Sequence, residues 1–118
     1  MTMPKPALVL ILFILATAVQ AQAPQLQCDV GPVTKTFASA PWLVYSCNDG
    51  KSVVIVSAPG SPASPFYFMF SPQGGAYRLI GEGTGSKAIT DAALSELKAL
   101  TSKQIESLLH ETQAVRKP

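Results

Sequence analysis

The hydrophobic pattern of this chain changes period once. Between residue 26 and Gly81, apolar residues form short runs bounded by Gly, Pro, Asn and Asp; after Gly85 they recur every three or four positions. The first period belongs to strands and the second to helices. Residues 26–30 read as a short first strand ended by Gly31-Pro32, and residues 33–41, mixed in character around Phe37, as a loop or weak strand. Residues 42–47 and 52–57 are rich in aromatic and β-branched side chains. They flank Asn48-Asp49-Gly50-Lys51, in which Asn and Asp can bond their own backbone and Gly supplies positive φ, so they predict a hairpin. Residues 66–71 and 76–81 predict a second hairpin around Pro72-Gln73-Gly74-Gly75. Pro59, Gly60, Pro62 and Pro65 between the hairpins prevent a regular ladder.

Ile89, Ala92, Ala93, Leu97 and Leu100 share one face of a first helix, with Thr90 or Asp91 as its N-cap. Thr101 and Gln104 have the spacing of a capping box and open a second helix, whose buried stripe is Ile105, Leu108, Leu109 and Thr112. Glu106, His110, Glu111 and Gln113 lie off that stripe. Strands first and helices second predict an α+β domain: an antiparallel sheet of about four strands in two hairpins, with two C-terminal helices packed on one face.

Residues 53–56 and 66–70 are apolar on both faces of their strands. A sheet with one wet face should alternate instead. Either residues 33–41 and the proline-rich loop cover the second face, or that face is a contact surface. Tyr67 and Met69 share one face and Phe66, Phe68 and Phe70 the other; the pattern leaves open which set meets the helices. Tyr67 and Met69 are therefore the candidate interaction residues.

The chain has 118 residues, and its N-terminus changes the picture. Lys5 precedes an uncharged apolar run over residues 7–19, and Val19 and Ala21 occupy the −3 and −1 positions of a cleavage site. This is the layout of a secretory signal peptide. The run is shorter than the roughly 18–20 residues a spanning helix needs, so no stable membrane anchor is expected after cleavage. The reading is a signal peptide over 1–21 and a single domain over 22–118, exported to the periplasm or secreted. In such a compartment Cys28 and Cys47, the only cysteines, are expected to form a disulfide.

The formal net charge is +2 and the charges are scattered, which argues against a nucleic-acid partner. Two bonded cysteines and one histidine fall short of the usual four zinc ligands, and no metal or cofactor is expected. Gly81-Glu82-Gly83-Thr84-Gly85-Ser86-Lys87 lacks the spacing of a phosphate or dinucleotide loop, leaving only weak anion binding beside its reading as a flexible connection. His110 reads as a solvated helix-surface residue, and no serine sits in an elbow motif. Asp49 and Asp91 have structural roles as turn and cap, whereas Glu82 has none evident. Trp42, Tyr45, Tyr67 and Tyr77 suit a small core or an interface.

No catalytic constellation emerges. The expected function is non-enzymatic binding of an unknown protein or envelope component, by a monomer or homodimer. The alternatives are a small-ligand carrier with a pocket between sheet and helices and a small hydrolase using His110 or Glu82. N-terminal sequencing of the exported protein should start at Gln22; a product that retains Met1 or Thr2 contradicts the signal reading.

Overall fold

The computed structural model describes residues 25–115; the predicted signal peptide and the last three residues lie outside them. Five strands follow one another: β1 (Val30–Phe37), β2 (Ala40–Ser46), β3 (Val53–Ser57), β4 (Phe66–Gln73) and β5 (Ala76–Gly83). They form one antiparallel sheet in sequential order, so every neighbour is reached by a hairpin or a short loop. Two helices, α1 (Lys87–Lys98) and α2 (Ser102–Gln113), complete the α+β fold.

The sheet has five strands where the sequence predicted about four. The extra strand is β1, which runs through Gly31-Pro32 into the segment that read as a loop or weak strand; the short strand expected over 26–30 is reduced to Val30, where β1 begins. It tolerates the proline because it lies at the sheet edge and its register with β2 shifts between Val30 and Val33. Its turn to β2 is Ala38-Ser39, with φ of 54° and 56°. Neither residue type announces a left-handed turn, which is why the sequence concealed the hairpin. The Glu96 carboxylate of α1 accepts the Ala38 N–H at 2.8 Å and ties this turn to the helices. The β4–β5 turn, by contrast, uses Gly74 and Gly75 at φ of 55° and 83°, as a two-residue primed turn requires.

Cross-strand pairing sorts the side chains into two faces. One carries Trp42, Val44 and Ser46 from β2, Val53 and Ile55 from β3, and Phe68 and Phe70 from β4, all buried. Ala93 and Leu97 of α1 and Ile105, Leu108 and Leu109 of α2 pack on this face and close the core. The phenylalanine set therefore meets the helices, and Tyr67 and Met69 point the other way. Trp42 is at the centre: it is fully buried, its ring centroid lies 5.4 Å from that of Phe68, and its Nε1–H donates to the Phe37 carbonyl at 3.1 Å.

The helix ends are set locally. α2 starts with the predicted capping box: Thr101 Oγ1 accepts the Gln104 N–H at 3.1 Å, and Gln104 Oε1 accepts the Thr101 N–H at 2.8 Å. α1 starts earlier than predicted, with Ser86 rather than Thr90 or Asp91 as its N-cap. Thr90 is buried, and Asp91 faces solvent opposite Lys87 at 3.8 Å. Lys35 of β1 and Glu111 of α2 meet at 2.7 Å. The Thr112 hydroxyl donates to the Leu109 carbonyl at 2.6 Å and shares a 2.6 Å hydrogen bond with the buried Ser46 hydroxyl, joining the end of α2 to β2.

Cys28 and Cys47 form a disulfide that spans 19 positions and ties the segment before β1 to the end of β2. Asn48 fastens the same segment, donating its N–H to the Gln27 carbonyl at 2.7 Å and accepting the Gln27 N–H at 3.0 Å. In the β2–β3 turn, burial alone would raise the Asp49 carboxyl. The Ser52 hydroxyl and the Ser52 and Lys51 N–H groups outweigh that and hold it below its ordinary value of 3.8. Its contribution to stability is therefore present above pH 3.8 and lost as pH falls through the lowered folded value.

Leu108 is buried and His110 exposed, which fixes the phase of α2. Leu108→Ala should cost about 2–5 kcal/mol of unfolding free energy and His110→Ala less than about 0.5, measured by denaturant titration. Equal costs would contradict the packing of this helix.

Candidate interaction surface

The sheet face away from the helices carries two rows of side chains, placed by the strand register. One runs Thr34, Leu43, Val56, Tyr67 and Glu82; the other runs Tyr45, Val54, Met69 and Ile80. The apolar and aromatic members are all partly exposed, whereas their neighbours along β2 and β3, and Phe68 and Phe70 along β4, are buried. Thr34 and Thr36 of β1, Ser71 of β4 and Arg78 and Glu82 of β5 make a polar rim.

The two segments expected to cover this face do not. Residues 33–41 lie within the sheet as β1 and the start of β2. The proline-rich loop folds toward the helices: Ala63 is buried in the main core, and the Pro62 carbonyl accepts the Ser86 N–H at the start of α1. Among the described residues only Pro65, at the end of that loop, borders the rows, lining an open cleft of about 420 Å³ with Val56, Tyr67 and Glu82. At strand spacings of about 4.8 Å across and 3.3 Å per residue along, the apolar part of the face has a footprint on the order of 300 Å².

The four aromatic residues singled out in the sequence divide between the faces. Trp42 and Tyr77 belong to the helix side, with Tyr77 edge-on to Phe70 at 6.2 Å between centroids. Tyr45 and Tyr67 belong to the open face. Glu82 lies beside Tyr67, whose hydroxyl donates to Glu82 Oε1 at 3.3 Å. The charge of Glu82 raises the Tyr67 phenol above its ordinary value, with smaller contributions from burial and the hydrogen bond itself.

The remaining candidates are dispersed. His110 sits on the exposed side of α2, 3.4 Å from Gln113 Oε1, in a shallow groove shared with Lys51, Tyr77 and Glu106 and containing no serine. Glu82 lies elsewhere, in the cleft beside Lys87, Thr90 and Asp91 at the start of α1. Ser57 and Ser61 accept backbone N–H groups of Phe66 and Ala63, each at 3.1 Å. In the glycine-rich stretch, the Thr84 and Gly85 N–H groups donate to the Pro65 carbonyl and the Ser86 N–H to the Pro62 carbonyl. A side chain at Gly85 would collide with the Ala63 backbone, so close packing explains this glycine. Among the described residues no three His, Cys, Asp or Glu side chains cluster as metal ligands.

Between sheet and helices, the largest buried side chains, Trp42, Phe68, Ile55 and Leu97, fill the centre. Open clefts lie at the margins: about 240 Å³ beside Phe37 and Leu108, about 320 Å³ beside Tyr77 and Leu100, and about 550 Å³ between Phe66 and Glu82 of the sheet and Thr90 and Leu94 of α1. No helix among the described residues is long and apolar enough to cross a membrane. No family model, curated protein or solved structure matches the chain.

If Tyr67 and Glu82 pair in solution, Glu82→Gln removes the charge that opposes phenolate formation. The Tyr67 titration followed by NMR should then shift to lower pH. An unchanged titration would show that the pair does not form.

Proposed function

We propose that this is an exported, non-enzymatic binding domain that holds a protein or another component of the cell envelope against the open face of its sheet. The observation that carries the reading is the pair of partly exposed rows centred on Tyr45, Val54, Tyr67 and Met69, left bare by helices that cover only the opposite face. A contiguous apolar surface with a polar rim is the usual form of a protein contact site. Tyrosine suits such a site because it supplies a large apolar ring with a polar tip. The disulfide fits an oxidising compartment, in line with the signal peptide expected from the sequence.

The test replaces Tyr67 and Met69 with Ser together. These side chains lie outside the helix-covered core, so circular dichroism and the thermal transition should remain close to those of the native protein. Capture of envelope components on the immobilised domain should fall at least about tenfold, the loss expected when central contact side chains are removed. Unfolding of the double variant, or undiminished capture, would refute the reading.

A further inference from the structure

The two edges of the sheet differ. β1 carries Pro32 and a register irregularity, and α2 packs along it through the Lys35–Glu111 pair. These devices blunt an edge against pairing. β5 has none of them: its register with β4 is unbroken from Gly83 to Ala76, and it contains no proline. In a two-residue hairpin the pair flanking the turn, Gln73 and Ala76, exchanges hydrogen bonds, and the pairs then alternate. Tyr77, Leu79, Gly81 and Gly83 therefore aim their backbone groups away from β4. None of these groups has a hydrogen-bond partner among the described residues outside the sheet ladder. Gly81 lies against the ring of Phe68, which a side chain there would meet at 2.8 Å.

We infer that β5 pairs antiparallel with β5 of a second copy, joining two five-stranded sheets about a two-fold axis. The charge pattern selects this occupant. Arg78, Ile80 and Glu82 lie on the open face of β5, and Arg78 has no ion pair among the described residues. With the axis at Ile80, the outward backbone groups of Leu79 meet those of the partner's Gly81. The same register sets Arg78 directly opposite the partner's Glu82, and Glu82 opposite the partner's Arg78. Opposite charges directly across an antiparallel pair attract and like charges repel, so this edge is complementary to itself. Tyr67 occupies only Oε1 of Glu82, and Oε2 remains for the guanidinium.

Area points the same way. A single open face, on the order of 300 Å², is well below the roughly 800 Å² per partner of a stable interface. Pairing through β5 would make the two open faces one surface of about twice that extent. The inference extends the binding reading and can fail independently of it.

Sedimentation equilibrium of the purified protein across micromolar to millimolar concentration tests it. A dimer should be present. Arg78→Glu alone and Glu82→Arg alone each turn both symmetric pairs repulsive, and should weaken it roughly tenfold or more. The double variant should return the affinity to within about threefold of the native value. Both positions are exposed, so folding is not at stake. Tyr45→Ser with Val54→Ser, on the open face but away from β5, should leave the dimer intact while reducing envelope capture. A protein that stays monomeric throughout, a dimer indifferent to either reversal, or a double variant without rescue would overturn β5 pairing. Any of these results would leave the open-face reading standing, because that rests on capture.

Discussion

Two short helices cannot cover both sides of a five-stranded sheet. Each helix has 12 residues and extends about 18 Å, and the sheet is about 20–25 Å across. Both helices therefore serve one core, built around Trp42 and Phe68, and the other face is left without a lid among the described residues. The rest of the architecture follows from that allocation. The disulfide and the Asn48 contacts fasten the segment before β1 to the end of β2, and the Thr112–Ser46 bond fastens α2 to β2. A disulfide closing a loop of this length stabilises a domain by about 3 kcal/mol on the chain-entropy view, a large share for so small a core.

Much of this was legible in the sequence, for identifiable reasons. The 48–51 turn contains Asn, Asp and glycine and the 72–75 turn a proline and two glycines, so both central hairpins could be read. The Thr101–Gln104 spacing located the start of α2. The lack of alternation in β3 and β4 signalled two apolar faces, and the structure shows that one of them lies away from the helices and is partly exposed. What stayed hidden was β1. Its turn is made by Ala38 and Ser39, held in place by Glu96 from a helix 58 positions away, a contact no local pattern announces. The α1 cap was misplaced because Ser86 makes no side-chain cap hydrogen bond; its carbonyl alone begins the helix. Tyr67 and Met69 could be paired on one face from period two, but only the register shows that this face is the open one.

The functional proposal rests on surface rather than on chemistry. His110 and Glu82 lie apart, the glycine-rich link is occupied by close packing, and the clefts between the layers are marginal and open. The central rows of the open face, with the unblunted β5 edge beside them, are the features of this fold left without an internal role.

The most direct measurement is methyl NMR with a soluble paramagnetic relaxation agent, on dilute protein. The account predicts strong relaxation of the Leu43, Val54, Val56, Met69 and Ile80 methyls and little for Val44, Val53 and Ile55. Equal protection of the two sets in dilute solution would show that the second face is covered within the monomer, and the account would fail.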